Sequence, residues 1–170
     1  RGLGDVYKRQ DIPIVLSTNS DCELVDGLGT DANNTTHERG AMNYNVSPGW
    51  SKLSNVWDAM YSIIENANLI VEGINKSPLL TSGDSDQRAM ERFKGEALTI
   101  RAMVYFDLIR LFGDIPYKSE SSNPDLGNVY LGKSDRDVIM DELIKDLETA
   151  ITLLPWAGEV SAYTTERVTK

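Results

Sequence analysis

The feature that most constrains this chain is the stretch Gly95–Pro116, GEALTIRAMVYFDLIRLFGDIP. Ala97, Ile100, Val104, Leu108 and Leu111 recur every three or four residues, the spacing that places apolar side chains on one face of a helix. Gly113 followed by Pro116 ends it, as suits a helix leaving into extended chain. Good helix formers continue backwards to about Ser85. A helix of that length exceeds the usual globular range and points to a helical repeat or a large helical domain.

A second amphipathic helix is expected over Lys52–Asn75. Trp57, Met60, Tyr61, Ile64, Ala67, Asn68, Val71 and Ile74 fall on one stripe. Trp57, Tyr61, Ala97, Val104 and Leu108 are expected to form one helix–helix core. Asn68 inside an apolar stripe needs a hydrogen-bond partner, expected on a neighbouring helix or loop. Gly95, inside the long helix, costs about 1 kcal/mol relative to alanine; the expected return is close approach of the Trp57 helix. Arg101 is expected to reach a carboxylate or loop carbonyls. Ser77-Pro78 breaks the chain, and Thr81–Asp84 links the two helices. Tyr117–Lys133 reads as a long polar surface loop. A third helix is expected from Ser134 as N-cap, with Asp137 three residues on, to Leu154 before Pro155. Its expected apolar face is Val138, Leu143 (or Ile144), Leu147, Ala150-Ile151 and Leu154, and its solvated side Asp141, Glu142, Asp146 and Glu148.

Gly95-Glu96-Ala97, Arg101-Ala102, Tyr105-Phe106, Leu108, Arg110 and Gly113–Pro116 resemble the signature helix of the SusD/RagB family, outer-membrane nutrient-binding lipoproteins of Bacteroidota. The order Trp57, Tyr61, Ile64, Ala67-Asn68 resembles that family's preceding helix, and Asp137–Pro155, with DLETAITLLP, resembles what the family shows after its loop. The resemblance implies an all-α fold with a tetratricopeptide-like helical repeat core and long irregular loops, here truncated. No repeat period of about 34 residues is visible, so helix alternation and resemblance carry that expectation. Arg167–Lys170 resembles the lead-in to the family's next helix, which would pair with Ser134–Leu154.

Residues 1–10, RGLGDVYKRQ, fit nothing that follows and are similar to translated sequencing-adaptor DNA, so they are set aside from fold reasoning. The resemblance implies that residues 11–170 are the N-terminal part of an incomplete SusD-like helical domain, with a lipid anchor expected on a missing N-terminus. Cys22 is not a lipid-bearing cysteine, because polar Thr18–Asp21 precedes it. Asp11–Trp50 is rich in Asp, Asn and Gly and reads as turns. Within it, Gly27–Asp31 matches one turn of a calcium-binding nonapeptide repeat, but a single copy has no neighbours to stack on.

The formal charge of −9 argues against nucleic acid, which needs a basic footprint, and against an anionic membrane surface. The single cysteine and single histidine, Cys22 and His37, lie in polar sequence without a nucleophile motif, and no metal-protease, phosphate-loop or serine-hydrolase signature is present. A binding protein is therefore expected rather than an enzyme, with no cofactor and no metal. A helical-repeat protein–protein scaffold and a hydrolase with a helical toroid core are the competing readings. Sugar recognition needs aromatic faces for the pyranose ring and planar polar groups for its hydroxyls. The candidates outside the helical stripes are Trp50, Tyr44 and Trp156, with Asn43, Asn45, Asp31 and Arg39 nearby in sequence. The partners implied by the resemblance are an oligosaccharide or other nutrient and a SusC-like TonB-dependent transporter, at the outer-membrane cell surface.

Overall fold

In the computed structural model, the residues described are 51–83, 85–122, 127, 130–159 and 168–169. Their secondary structure is helical: α1 is Ser51–Asn75, α2 Ser85–Phe112 and α3 Arg136–Leu153, with a short 3-10 turn at Pro78–Thr81 between the first two. Apart from one isolated antiparallel bridge between Ile115 and Ser134, no strand pairing occurs among the described residues. The chain divides into two units, Arg1–Ala59 and Met60–Lys170. The first turns of α1, as far as Ala59, belong to the former and the rest of the described residues to the latter.

Local chemistry sets the helix ends. Ser77 caps the 3-10 turn by accepting the Leu79 N–H, with Pro78 preset in its first position. Gly83 adopts a φ of 76°, which side chains rarely tolerate, and its N–H is taken by the Gln87 side chain in the first turn of α2. At the other end of α2, Gly113 has a φ of 74° and closes the last turn by donating to the Ile109 carbonyl at 2.9 Å. Ile115, fully buried, then pairs with Ser134, whose N–H donates to the Ile115 carbonyl. The N-cap of α3 is therefore Asp135, which accepts the Asp137 N–H at 2.8 Å, and not Ser134 as the sequence suggested. Ser134 is committed to the bridge, so the cap falls one residue later.

The core is made of Met60, Ile64, Ala67 and Ile74 from α1; Ala97, Leu98, Ala102, Val104, Tyr105 and Leu108 from α2; and Ile139, Leu143 and Ala150 from α3, with Leu154 just beyond. Leu98, Ala150 and Leu154 cluster together, with Val71, Leu153 and Val168 packed around them. Of the expected Trp57 group, Ala97, Val104 and Leu108 are buried and Tyr61 is half-buried with its ring edge-on to Tyr105. Trp57 lies in the first unit and is half-buried. Gly95 admits α3, not the Trp57 helix. A Cβ there would stand 2.9 Å from Leu154 Cγ and 3.3 Å from Leu153 Cβ, so the small residue makes room for leucine side chains where α2 meets the end of α3. On α3, Leu143 is buried and Ile144 exposed, which resolves that alternative. Val138, Leu147 and Ile151, expected inward, are exposed, because the face turned to α2 is set by Ile139, Leu143, Ala150 and Leu154.

Candidate functional site

The densest polar construction among the described residues surrounds the segment Pro116–Ser122, which leaves α2 and runs beside α1. Tyr61, Glu65, Asn68 and Glu72 stand at spacings of four, three and four, so they form one straight row on the surface of α1. Each holds the segment in turn. The Tyr61 hydroxyl donates to the Pro116 carbonyl at 2.7 Å. Glu65 accepts from Lys118 Nζ at 2.6 Å and from the Ser122 N–H at 2.7 Å. Asn68 Nδ2 donates to the Glu120 carbonyl at 2.8 Å, and Glu72 accepts the Ser121 N–H at 2.6 Å and the Ser121 hydroxyl at 3.0 Å. Segment 116–122 is thus a strap bound to α1 at Pro116, Lys118, Glu120, Ser121 and Ser122.

The other helices reach the same strap through Arg101 and Tyr105. Arg101 is 4% exposed, and its guanidinium makes four hydrogen bonds through its planar fork. Nε and Nη2 donate to the two oxygens of Asp146 on α3 at 2.8 and 2.7 Å, while Nη1 donates to Asn68 Oδ1 at 2.7 Å and to the Ser119 carbonyl at 2.9 Å. One side chain joins α1, α2, α3 and the strap. The Tyr105 hydroxyl donates to the Lys118 carbonyl at 3.0 Å and accepts the Lys118 N–H at 3.1 Å. Asp146, expected on the solvated side of α3, is instead the bidentate partner of Arg101.

The electrostatics suit holding rather than reacting. Burial tends to raise the Glu65 carboxyl, but the hydrogen bonds from Lys118 and Ser122 outweigh it and hold its pKa below the ordinary value. Hydrogen bonds from the Ser121 backbone and hydroxyl do the same at Glu72. Burial pushes Tyr105 up to about 12 and Tyr117 up to about 12, so both stay neutral at physiological pH. Two ionised carboxylates and neutral phenols offer no acid–base pair poised near neutrality. No group of three or more His, Cys, Asp or Glu is placed to hold a metal among the described residues.

Trp50, Tyr44, Asn43, Asn45, Asp31 and Arg39 lie outside the described residues. The same holds for Cys22, His37 and residues 1–10. Trp156, just beyond α3, is 60% exposed, and its backbone N–H donates to Glu159. Tyr130, which sequence reasoning passed over, is 92% exposed in the loop before α3. The expected roles of Arg101 and Asn68 are as found. The row Tyr61–Glu65–Asn68–Glu72 was missed, although its helical spacing was the signal that could have found it.

A family model described as SusD-like, starch-binding and associating with the outer membrane, matches residues 10–170. The chain belongs to the SusD-like family. It is similar to SusD-like protein P25 of Formosa agariphila, with 27% identity over 136 residues, covering 80% of this chain and 24% of that protein. This SusD-like chain spans about a quarter of the length of the curated relatives it matches. Among solved structures, a SusD homolog from Bacteroides thetaiotaomicron superposes with a TM-score of 0.69 at 20% identity, covering 91% of this chain and 31% of that one. The surface glycan-binding protein A from Bacteroides fluxus gives 0.65 at 22% identity, covering 89% and 30%. The helical, tetratricopeptide-like fold is the SusD-like fold. The family is one of binding proteins, not enzymes. No helix among the described residues is long and apolar enough to cross a membrane.

Proposed function

We propose that this chain is part of a SusD-like cell-surface carbohydrate-binding protein that passes an oligosaccharide to a SusC-like TonB-dependent transporter, held at the outer membrane by a lipid on the N-terminus of the full-length protein. The observation that carries this reading is the family match over residues 10–170, whose description names starch binding and the outer membrane. The described residues support it chemically. Their polar side chains are spent on fixing Pro116–Ser122 rather than on activating a nucleophile, so the helices act as a frame. The ligand contacts then fall to aromatic and amide groups elsewhere in the chain. Trp50 and Tyr44 would stack on the sugar ring, and Asn43, Asn45, Asp31 and Arg39 would bond its hydroxyls.

The test is calorimetry of the full-length protein with malto-oligosaccharides. Trp50→Ala is expected to lose about 1–3 kcal/mol of affinity, by analogy with aromatic stacking on other planar ligands, with the melting temperature almost unchanged. Equal affinity with a lower melting temperature would return Trp50 to the core. Co-purification of the tagged full-length protein with a TonB-dependent transporter from native membranes tests the delivery step; its absence would remove the transporter from the reading.

A further inference from the structure

The turn that follows α3 holds a tryptophan firmly by its backbone and leaves its ring outside the core. Leu154 is buried against Leu98 and Ala150, and its N–H donates to the Ala150 carbonyl at 2.9 Å, so the chain leaves the helix from a fixed point. Pro155 restricts the next step of backbone. Residues 156–159 then close on themselves twice. The Glu159 N–H donates to the Trp156 carbonyl at 3.1 Å, and Glu159 Oε2 accepts the Trp156 N–H at 2.8 Å. Gly158 has a φ of 88°, which favours glycine at the third position of such a turn. Both backbone polar groups of Trp156 are bonded in this way, yet the residue stays 60% exposed.

We propose that this turn is a contact for one neutral pyranose residue of an oligosaccharide, with the Trp156 indole as its stacking face and the Glu159 carboxylate as acceptor for its hydroxyls. The inference rests on the carbohydrate reading above and adds a residue pair which that reading does not use. An indole is a large flat apolar surface with only two side-chain torsions to fix, and contact is stronger when its backbone is held before the ligand arrives. The two bonds across the turn provide that hold. Room is left in front of it. Ala157 and Gly158 are exposed and small, and a Cβ placed on Gly158 would meet nothing within 4 Å. Glu159 is exposed as well, and an ionised carboxylate only accepts hydrogen bonds. It therefore suits sugar hydroxyls and repels uronate or sulfate, in the same sense as the formal charge of −9 on the whole chain. A protein partner fits the turn less well, because an aromatic hot spot works inside further apolar contact area, and Ala157, Gly158 and Glu159 offer little.

The test is calorimetry of the full-length protein with maltoheptaose as the neutral probe and heptagalacturonate as the anionic one. Trp156→Ala is expected to weaken maltoheptaose binding about five- to a hundredfold, the range for losing one aromatic stacking contact, with the melting temperature unchanged. Trp156→Tyr, which keeps a flat ring, should recover most of the loss. Glu159→Gln keeps an oxygen for the Trp156 N–H and should narrow the preference for maltoheptaose over heptagalacturonate. Equal affinity in Trp156→Ala overturns this inference and leaves the carbohydrate reading standing, whereas an unsubstituted protein that binds neither probe removes both. A loss that comes with a lower melting temperature and is not recovered by tyrosine would make Trp156 structural and also overturns it. Tighter binding of heptagalacturonate than of maltoheptaose by the unsubstituted protein refutes the choice of a neutral sugar. A measurement without substitution reads the same contact: oxidation of Trp156 by N-bromosuccinimide, followed by mass spectrometry, should slow at saturating maltoheptaose. An unchanged rate refutes the contact, and protection by the transporter alone would assign the turn to that partner and refute it equally.

Discussion

Arg101 is the residue on which three helices and the strap agree. A buried guanidinium is tolerable only when its donors are met, and here four bonds go to Asp146, Asn68 and the Ser119 carbonyl. Removing it leaves Asp146 largely buried without its countercharge. Arg101→Met is therefore expected to destabilise the protein by about 3–5 kcal/mol in urea unfolding, as breaking one side of a buried pair does. Arg101→Lys should recover little, since one ammonium cannot reproduce a planar fork. A loss below about 1 kcal/mol would place the pair among ordinary surface bridges. The role of Arg101 was readable, because an arginine beside an apolar stripe with no base nearby has few other uses. Asp146 was not. It sits in a run with Asp141, Glu142 and Glu148 that reads as a solvated face, and its partner lies on another helix, 45 residues away in sequence.

At the scale of elements, helix positions were legible because apolar spacing and glycine or proline stops speak locally. The expected Lys52–Asn75 and Ser85-to-Gly113 spans match α1 and α2 closely. The start of α3 was off by one because the Ile115–Ser134 bridge is a long-range fact. Asp135→Ala should cost about 0.5–2 kcal/mol, the range for losing an N-cap, while Ser134→Ala, which keeps its backbone bridge, should cost clearly less. The reverse order in thermal melts would restore Ser134 as the cap. The strap was illegible for another reason. Lys118–Ser122 is polar throughout and looks like free loop, and only the row on α1 turns it into fixed structure. Glu65 and Glu72 are lowered in the folded protein, so the stability they give is present above the ordinary glutamate value of about 4.3 and is lost as pH falls through their folded values. Hydrogen-exchange protection of the Ser121 and Ser122 amides should fall across that acid window, ahead of the amides within α2. Glu65→Gln with Glu72→Gln should flatten the dependence. Unchanged protection down to global unfolding would show that the carboxylates do not hold the strap.

For the molecule as a whole, the tyrosines report whether frame and strap unfold as one. Tyr61 on α1, Tyr105 on α2 and Tyr117 at the head of the strap meet through ring contacts, at 6.3 Å between the first two centroids and 5.0 Å between the last two. Burial raises all three phenols, Tyr105 to about 12. The unfolded chain would release these protons near an ordinary value of about 10. Stability from the raised phenols is therefore complete below that value and is lost as pH climbs from there towards about 12. For the fully buried Tyr105 alone this amounts to roughly 3 kcal/mol, at 1.36 kcal/mol for each unit of displacement. That is a sizeable share of the stability of any single domain, so ionisation should come with unfolding rather than before it. The expected record is a steep rise in phenolate absorbance that coincides with loss of helical circular dichroism, and a smaller rise for Tyr105→Phe. If the phenolates instead appear gradually near pH 10 with helicity intact, the strap opens independently of the helices. The row on α1 would then be a surface attachment, and the three helices would owe their cohesion to Arg101 and the apolar core alone.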